Sequence, residues 1–178
     1  MRVLVTGMIA GMDDESYINQ VLQMGQDQGL DISYHNLISA LESTGGKKLD
    51  RLLGTTNYLF EVLREREYRK IGFELEANNV TNAIIRAPST IEWKHVNIKL
   101  KDHKEIAHFI KPDVVVTLID AECFIQERMH DAQKRDEFFQ RVKQHNFSIR
   151  EILSWMDEEV SLSEDWAEHL NVRHYVIP

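Results

Sequence analysis

The sequence is poor in the residues that mark several classes of protein. It has one cysteine, Cys123, which cannot form an internal disulfide, so a reducing cytoplasm is the expected location. Its 3 prolines and 8 glycines exclude collagen-like and low-complexity chains. Apolar runs are shorter than the roughly 20 residues that a membrane helix needs. Because zinc-site spacing of Cys and His is also missing, we expect neither a membrane partner nor a bound metal.

The residues that are present are typical of a globular domain. Of the 178 residues, 43% are hydrophobic and 28% are charged, which provides enough apolar surface for a packed core. This length corresponds to one domain, at roughly 100–200 residues per domain. The net charge of −8 argues against broad binding to nucleic acid. A homo-oligomer and a protein partner both stay open at this stage.

The hydrophobic pattern predicts an α/β domain. Continuous apolar runs at residues 3–6, 83–85 and 114–119 are typical of buried parallel strands. Weaker strand candidates lie at residues 30–34 and 172–177. Helical spacing predicts helices at residues 15–28, 58–77, 121–131, 148–159 and 163–170. A loop is expected at residues 45–56 and an extended segment at residues 94–103. The alternation predicts three layers around five parallel strands, with residues 3–6 at the centre.

The segment after the first strand is the first candidate site. Residues 3–15 read Val-Leu-Val-Thr-Gly-Met-Ile-Ala-Gly-Met-Asp-Asp-Glu, a strand, a glycine turn and the start of a helix, where α/β proteins bind phosphate. The phosphate loop has the pattern G-x-x-x-x-G-K-[ST]. Gly7 matches it, but Met12, Asp13 and Asp14 replace the second glycine, the lysine and the hydroxyl. The two carboxylates Asp13 and Asp14 would repel a triphosphate. The alternative to a ligand site is a helix whose first turn is stabilised by these acids and which binds no ligand.

Charged segments elsewhere have structural explanations of their own. Asp120 suits the N-cap of the helix that follows its strand. Basic residues within 127–136 suit a lid over phosphates, although an exposed helix face gives the same pattern. Residues 61–70 alternate acids and bases at spacings of three and four, which supports an exposed helix.

The order of these pieces resembles the archaeal-type adenylate kinases, within the P-loop nucleotide kinases. The resemblance begins with Val5-Thr6-Gly7 and continues with Tyr34-His35-Asn36-Leu37. The closest local match is Lys-Pro-Asp-Val-Val-Val at residues 111–116, where the family has Asn-Pro-Asp and a hydrophobic strand. The resemblance implies a P-loop NTPase-like fold with a short lid at about residues 126–147. It also implies ATP with Mg²⁺, although the cofactor itself stays undetermined from the residues.

The chain departs from that family at both ends of the phosphate site. Asp13 stands at the lysine position, and Arg86 and Pro88 stand where the family has Asp-x-His. Because phosphoryl transfer depends on positioning and positive charge, we expect a degenerate kinase-like protein that binds a nucleotide, a nucleoside or a protein partner, with weak or absent transfer. We assign no catalytic residue. The expected nucleotide-binding residues are Gly7, Met8, Ile9, Ala10, Gly11, Asp13, Asp14, Arg86, Arg128, Lys134 and Arg135.

One alternative is an active nucleotide or nucleoside kinase with an unusual site. In this hypothesis Arg86, Arg128, Lys134 and Arg135 replace the missing lysine.

A second alternative is a hydrolase resembling the nucleoside deoxyribosyltransferases, because Gly7-Met-Ile-Ala-Gly11 is similar to their opening segment. Asp13, Asp14 or Glu15 would then act as a carboxylate nucleophile or base. That family has a flavodoxin-like sheet in the order 2-1-3-4-5, against 2-3-1-4-5 in the kinases.

Overall fold

A computed structural model describes residues 1–8, 14–93, 96–135 and 148–178, with the backbone alone at some of these positions. The strands in these residues are β1 Arg2–Gly7, β2 Ser33–Asn36, β3 Ala83–Arg86, β4 Thr90–Trp93, β5 Val96–Lys99, β6 Val114–Leu118 and β7 Arg173–Ile177. The helices are α1 Asp14–Asp27, α2 Leu37–Gly45, α3 Leu49–Leu53, α4 Asn57–Ala77, α5 His103–Glu105, α6 Glu122–Arg135 and α7 Ile149–Leu170. A π-helical turn, Ile106–Ile110, continues α5.

Five of these strands form one parallel sheet in the order β2-β3-β1-β6-β7. With only these strands numbered, the order is 2-3-1-4-5, as expected for a P-loop kinase. Leu4 of β1 lies between Ile85 of β3 and Val115 of β6, so β1 is the central strand. The remaining strands, β4 and β5, pair as an antiparallel hairpin beside the main sheet.

Side chains alternate between the two faces of the sheet, as the strand period requires. On one face Val5, Ile84 and Leu118 pack against Ile18 of α1. On the other face the larger core packs around Leu4, and it includes residues of α2, α3, α4, the π-helical turn and α7. The sheet is thus a middle layer between helices, which confirms the predicted three-layer α/β fold.

Close packing on the second face depends on one glycine. Gly72 of α4 lies against the π-helical turn, where an added Cβ would be 2.4 Å from the backbone oxygen of Phe109. Because that neighbour is backbone, it cannot move aside as a flexible side chain would.

The carboxyl ends of the central strands carry a smaller core of their own. Met8, the residue after β1, packs with Ile125 and Met129 of α6 and with Ile152 and Trp155 of α7. The first half of α7 therefore extends beyond the sheet and covers this edge together with α6.

Sequence reasoning locates the strands better than the helices. Each predicted parallel strand is present, although the strand predicted at residues 30–34 lies at Ser33–Asn36. The division of residues 148–170 into two helices is wrong, because α7 is continuous. Serine is common at helix caps, but Ser163 lies within α7 and its buried hydroxyl contacts that of Thr6.

Residues 45–56 are also not wholly a loop, because they contain α3, whose leucines are buried. Sequence reasoning identified no helix at α2 either. Its N-cap is Asn36, which accepts hydrogen bonds from the backbone N–H groups of Ile38 and Ser39.

Candidate functional site

Gly7, the first residue of the glycine turn predicted from the sequence, lies at the carboxyl end of the central strand. Gly7 ends β1 with a φ of 147°, in the region of backbone space that favours glycine. Four predicted site residues, Ile9, Ala10, Gly11 and Asp13, lie outside the described residues. Asp14 begins α1, and only its backbone is described.

The side chain of Met8 does not face an open site. It is 1% exposed and belongs to the apolar core between α6 and α7. Any contact of Met8 with a ligand is therefore restricted to its backbone.

A buried carboxylate joins the ends of β1 and β3. Glu159 of α7 is 1% exposed, and its Oε1 accepts hydrogen bonds from the backbone N–H of Gly7 at 2.9 Å and of Ser89 at 2.8 Å. Its Oε2 accepts from the backbone N–H of Thr90 at 2.8 Å and from the Thr90 hydroxyl at 2.5 Å. The indole N–H of Trp155 donates to that same hydroxyl at 2.9 Å. Because the threonine oxygen accepts from Trp155, its proton is free to point at Glu159.

These contacts have opposing effects on the acidity of Glu159. Burial raises the pKa of its carboxyl group above the ordinary value, and the donors at Thr90, Ser89 and Gly7 oppose that rise. All four partners are donors, which suits a carboxylate better than a protonated acid. The carboxylate of Glu159 therefore lies in direct contact with the backbone of Gly7.

Hydroxyl groups extend this polar cluster across the sheet. The Thr6 hydroxyl lies 2.7 Å from that of Thr117 and 2.8 Å from that of Ser163, which in turn contacts Ser89 at 3.4 Å. At the far side, Nε2 of His174 lies 2.8 Å from the Thr117 hydroxyl. Burial lowers the pKa of His174 below 6.5, which favours a neutral ring at this end of the network.

Two predicted arginines lie at the same edge of the sheet as Gly7. Arg86 is the last residue of β3, is largely buried and pairs in register with Val5. Arg128 of α6 forms a salt bridge with Asp120, which also accepts a hydrogen bond from the backbone N–H of Ala121.

The other two predicted basic residues, Lys134 and Arg135, are in the last turn of α6, where only the backbone is described. The structure thus brings Gly7, Arg86 and Arg128 to one edge, as expected for strands and helices that meet there.

A second buried polar cluster lies away from this edge, between α4 and α5. Nη2 of Arg64 donates to Oδ1 of Asp102 at 2.8 Å. Nε of Arg64, Oδ2 of Asp102, the Tyr68 hydroxyl and both carboxylate oxygens of Glu67 are buried without a hydrogen-bond partner. Tyr68 lies close to Asp102 without a well-formed hydrogen bond, and burial raises the pKa of both groups.

Sequence reasoning missed Glu159, although a signal for it exists. The buried positions of α7 include Ile152, Trp155, Glu159, Ser163 and Trp166, at helical spacings of three and four. An acid in an apolar stripe is rarely buried unless it has partners. Because the predicted helix ended at residue 159, Glu159 was separated from Ser163 and Trp166, and the stripe was too short to reveal it.

A groove lies at the opposite, amino-terminal edge of the sheet. It has a volume of about 1080 Å³ and includes Val3, Asp113, Val172, Arg173 and Tyr175 in its lining. Residues 9–13, which follow the glycine turn at the carboxyl edge, lie outside the described residues. A ligand site at that edge stays a prediction.

Two searches within the described parts of the chain found nothing. None of the described helices is long and apolar enough to cross a membrane. The described His, Cys, Asp and Glu side chains form no group of three or more that could hold a metal ion.

Comparison with known proteins finds similarity in structure alone. No protein-family model and no curated protein sequence matches the chain. Three solved structures of shikimate kinases match 99% of it. The enzyme from Bacteroides thetaiotaomicron has a TM-score of 0.56 at 12% identity, with 85% of that chain covered. The Acinetobacter baumannii enzyme in complex with shikimate has a TM-score of 0.52 at 13% identity, with 82% covered. The Aquifex aeolicus enzyme has a TM-score of 0.50 at 13% identity, with 86% covered.

These similarities show the fold. The chain has the fold of the P-loop nucleotide kinases, with the sheet order of that class. The flavodoxin-like alternative is wrong, because its order 2-1-3-4-5 would place β1 beside β2, whereas β3 separates them here.

Proposed function

We propose that this chain binds a nucleotide beside Gly7 and transfers a phosphoryl group weakly or not at all. The observation that carries the proposal is Gly7, with its φ of 147°, at the end of the central strand of a kinase fold. In open α/β sheets, ligands bind outside the carboxyl ends of the strands, where the connections diverge to the two sides. In this sheet that point is β1, because its connection leads to β2 on one side and the connection of β6 leads to β7 on the other.

Weak transfer follows from the charges around the turn. A P-loop kinase uses a lysine and Mg²⁺ to neutralise the phosphates, and this sequence has Asp13 at the lysine position. Arg86 ends β3 where the family resemblance implies an aspartate that helps organise the metal. A guanidinium repels Mg²⁺, so this position does not fit the metal, and we assign no step to it.

Basic groups nearby only partly offset these acids. Arg128 forms a salt bridge with Asp120, and the Glu159 carboxylate adds a negative charge behind the turn. Arg86 ends β3 at the same edge of the sheet, and its place there suits a contact with a phosphate. The proposed ligand is therefore a nucleotide held by backbone N–H groups and Arg86. Residues 126–147 stay the predicted lid.

The test compares binding with turnover in the same preparations. Calorimetry measures the affinity for ATP and ADP with and without Mg²⁺, and ADP formation is followed with AMP or shikimate as acceptor. AMP is the acceptor that the adenylate kinase resemblance implies, and shikimate is bound in one structural neighbour. We expect measurable binding in both conditions and no acceptor-dependent ADP.

Charge reversal at the lysine position sharpens the test. We expect Asp13→Lys to tighten ATP binding, because it replaces a repulsive charge with an attractive one. Asp27→Lys is the matched control, since it makes the same change at the last residue of α1, about 20 Å along the helix from its first residue, Asp14. Absence of ATP and ADP binding to the wild type would overturn the proposal. Rapid acceptor-dependent turnover would instead support the active-kinase alternative.

A further inference from the structure

The Glu159 carboxylate connects segments of the chain that are far apart in sequence. Gly7 ends the central strand, Ser89 and Thr90 lie 82 and 83 residues further along, and Glu159 belongs to α7. Three of its four donors are backbone N–H groups, at 2.8 to 2.9 Å. The carboxylate therefore fixes the main chain at these places as well as its own side chain.

From these contacts we infer that Glu159 is a positioning residue, which holds the glycine turn at Gly7 and the segment at Ser89–Thr90 in the arrangement that receives a nucleotide. The inference rests on the proposed function and deepens it. Glu159 does not touch the nucleotide itself, because the carboxylate is buried and its four contacts are within the protein. Its effect passes through the backbone that it holds.

The geometry requires two acceptor oxygens. Oε1 accepts from Gly7 and Ser89, and Oε2 accepts from both donors of Thr90. Glutamine has the same shape, but its amide nitrogen is a donor and would face N–H groups. With Glu159→Gln, either the Gly7–Ser89 pair or the Thr90 pair loses its acceptor, so the segments can separate.

A neighbouring residue reports on this arrangement. The indole N–H of Trp155 donates to the Thr90 hydroxyl, which is itself bonded to Glu159. A change in the position of Thr90 therefore shifts the NMR resonance of the Trp155 indole N–H. Trp166 is also buried but packs in the larger core, so its resonance is an internal reference.

The main experiment separates positioning from general stability. Wild type, Glu159→Gln and Asp102→Asn are titrated with ADP by calorimetry at a temperature where all three are folded. Asp102→Asn is the matched control, because it makes the same acid-to-amide change in a buried carboxylate of the α4–α5 cluster. We expect Glu159→Gln to weaken ADP binding by about tenfold or more, equivalent to the loss of one or two hydrogen bonds. Asp102→Asn should leave the affinity within about twofold.

A second measurement needs no nucleotide. Hydrogen exchange of the backbone amides of Gly7, Ser89 and Thr90 is compared between the variants, together with the Trp155 indole resonance. We expect Glu159→Gln to increase exchange at these amides selectively and to shift Trp155 but not Trp166. If Glu159→Gln does not fold, Thr90→Val replaces it, because it removes one donor and keeps the carboxylate. Its expected effect on the ADP affinity is about threefold.

The outcomes distinguish the inference from the proposed function. Equal affinities in wild type and Glu159→Gln, or equal losses in Glu159→Gln and Asp102→Asn, would overturn the positioning role while leaving nucleotide binding intact. If the wild type does not bind ADP, the proposed function is overturned, and so is the claim that Glu159 prepares a nucleotide site. The exchange and Trp155 measurements would then decide whether Glu159 positions the two segments at all.

Discussion

The two buried polar clusters described above differ in how many of their polar atoms have a hydrogen-bond partner. At the carboxyl edge of the sheet, Glu159 accepts four hydrogen bonds, three of them from backbone N–H groups. Between α4 and α5, Arg64 and Asp102 form one close contact, while Glu67 and other atoms have no hydrogen-bond partner. Burial without partners destabilises a fold, so the second cluster is the weaker element.

The difference shows which buried acid can be replaced. The partners of Asp102 are side chains, which mutation can remove together with the acid. The partners of Glu159 are largely main chain, and their N–H groups remain whatever residue occupies position 159. Joint apolar replacement of Arg64 and Asp102 is therefore tolerable, whereas apolar replacement of Glu159 is costly.

The largest effect is expected from Glu159→Leu. It leaves three backbone N–H groups and the Thr90 hydroxyl without an acceptor, and we expect a loss of about 4 kcal/mol in the free energy of unfolding. Urea denaturation followed by circular dichroism measures it. A loss below about 1 kcal/mol would mean that these donors find other partners.

The next prediction compares a single variant with a double variant of the Arg64–Asp102 pair in the α4–α5 cluster. Asp102→Leu alone leaves the largely buried Arg64 guanidinium unpaired and should destabilise by about 3 kcal/mol. Adding Arg64→Met removes the unpaired charge, and the double variant should return to within about 1 kcal/mol of the wild type. Losses that simply add in the double variant would contradict this account of the pair.

A smaller gain is expected from Glu67→Met. Both carboxylate oxygens are buried without a partner, so an apolar side chain of similar length should stabilise the protein by about 1 kcal/mol. Glu65→Met is the control on the same helix, because Glu65 is exposed and forms a surface ion pair with Arg69. If Glu67→Met destabilises the protein, the carboxylate has a partner that the contacts above do not include.

The smallest effect is expected from acidification at His174, at the end of the hydroxyl network. Its pKa is lowered by burial, with Glu164 acting in the opposite direction. The unfolded chain binds the proton more readily, so stability is lost as the pH falls from about 6.5 through the lowered pKa of the folded state. The melting temperature should drop less between pH 7.5 and 5.5 in His174→Gln than in the wild type. Glu159 is present in both proteins, so its contribution to the pH dependence cancels in this comparison. An equal drop in melting temperature would contradict the prediction.

The strands were predictable from sequence because buried parallel strands are continuous apolar runs. Residues 3–6, 83–85 and 114–119 each belong to one, and their order follows from the kinase resemblance. The pattern of polar and apolar residues does not reveal α3, because this short helix is stabilised by tertiary contacts. The pattern also does not show that Ser163 lies inside α7, because its hydroxyl contacts Thr6 of a distant strand. The positions of Gly7 and Arg86 at strand ends were predictable from the sequence, and their role in binding stays a prediction. Glu159 was not found, because its partners are 69 to 152 residues away in the chain.

The most direct test of the central claim is a phosphorus NMR titration of ATP and Mg²⁺ with the wild-type protein. We expect the ATP resonances to broaden or shift until the protein is saturated, while ADP does not accumulate when AMP or shikimate is added. Unchanged ATP resonances would contradict nucleotide binding at the glycine turn. Rapid formation of ADP with an acceptor would contradict the proposal that phosphoryl transfer is weak or absent.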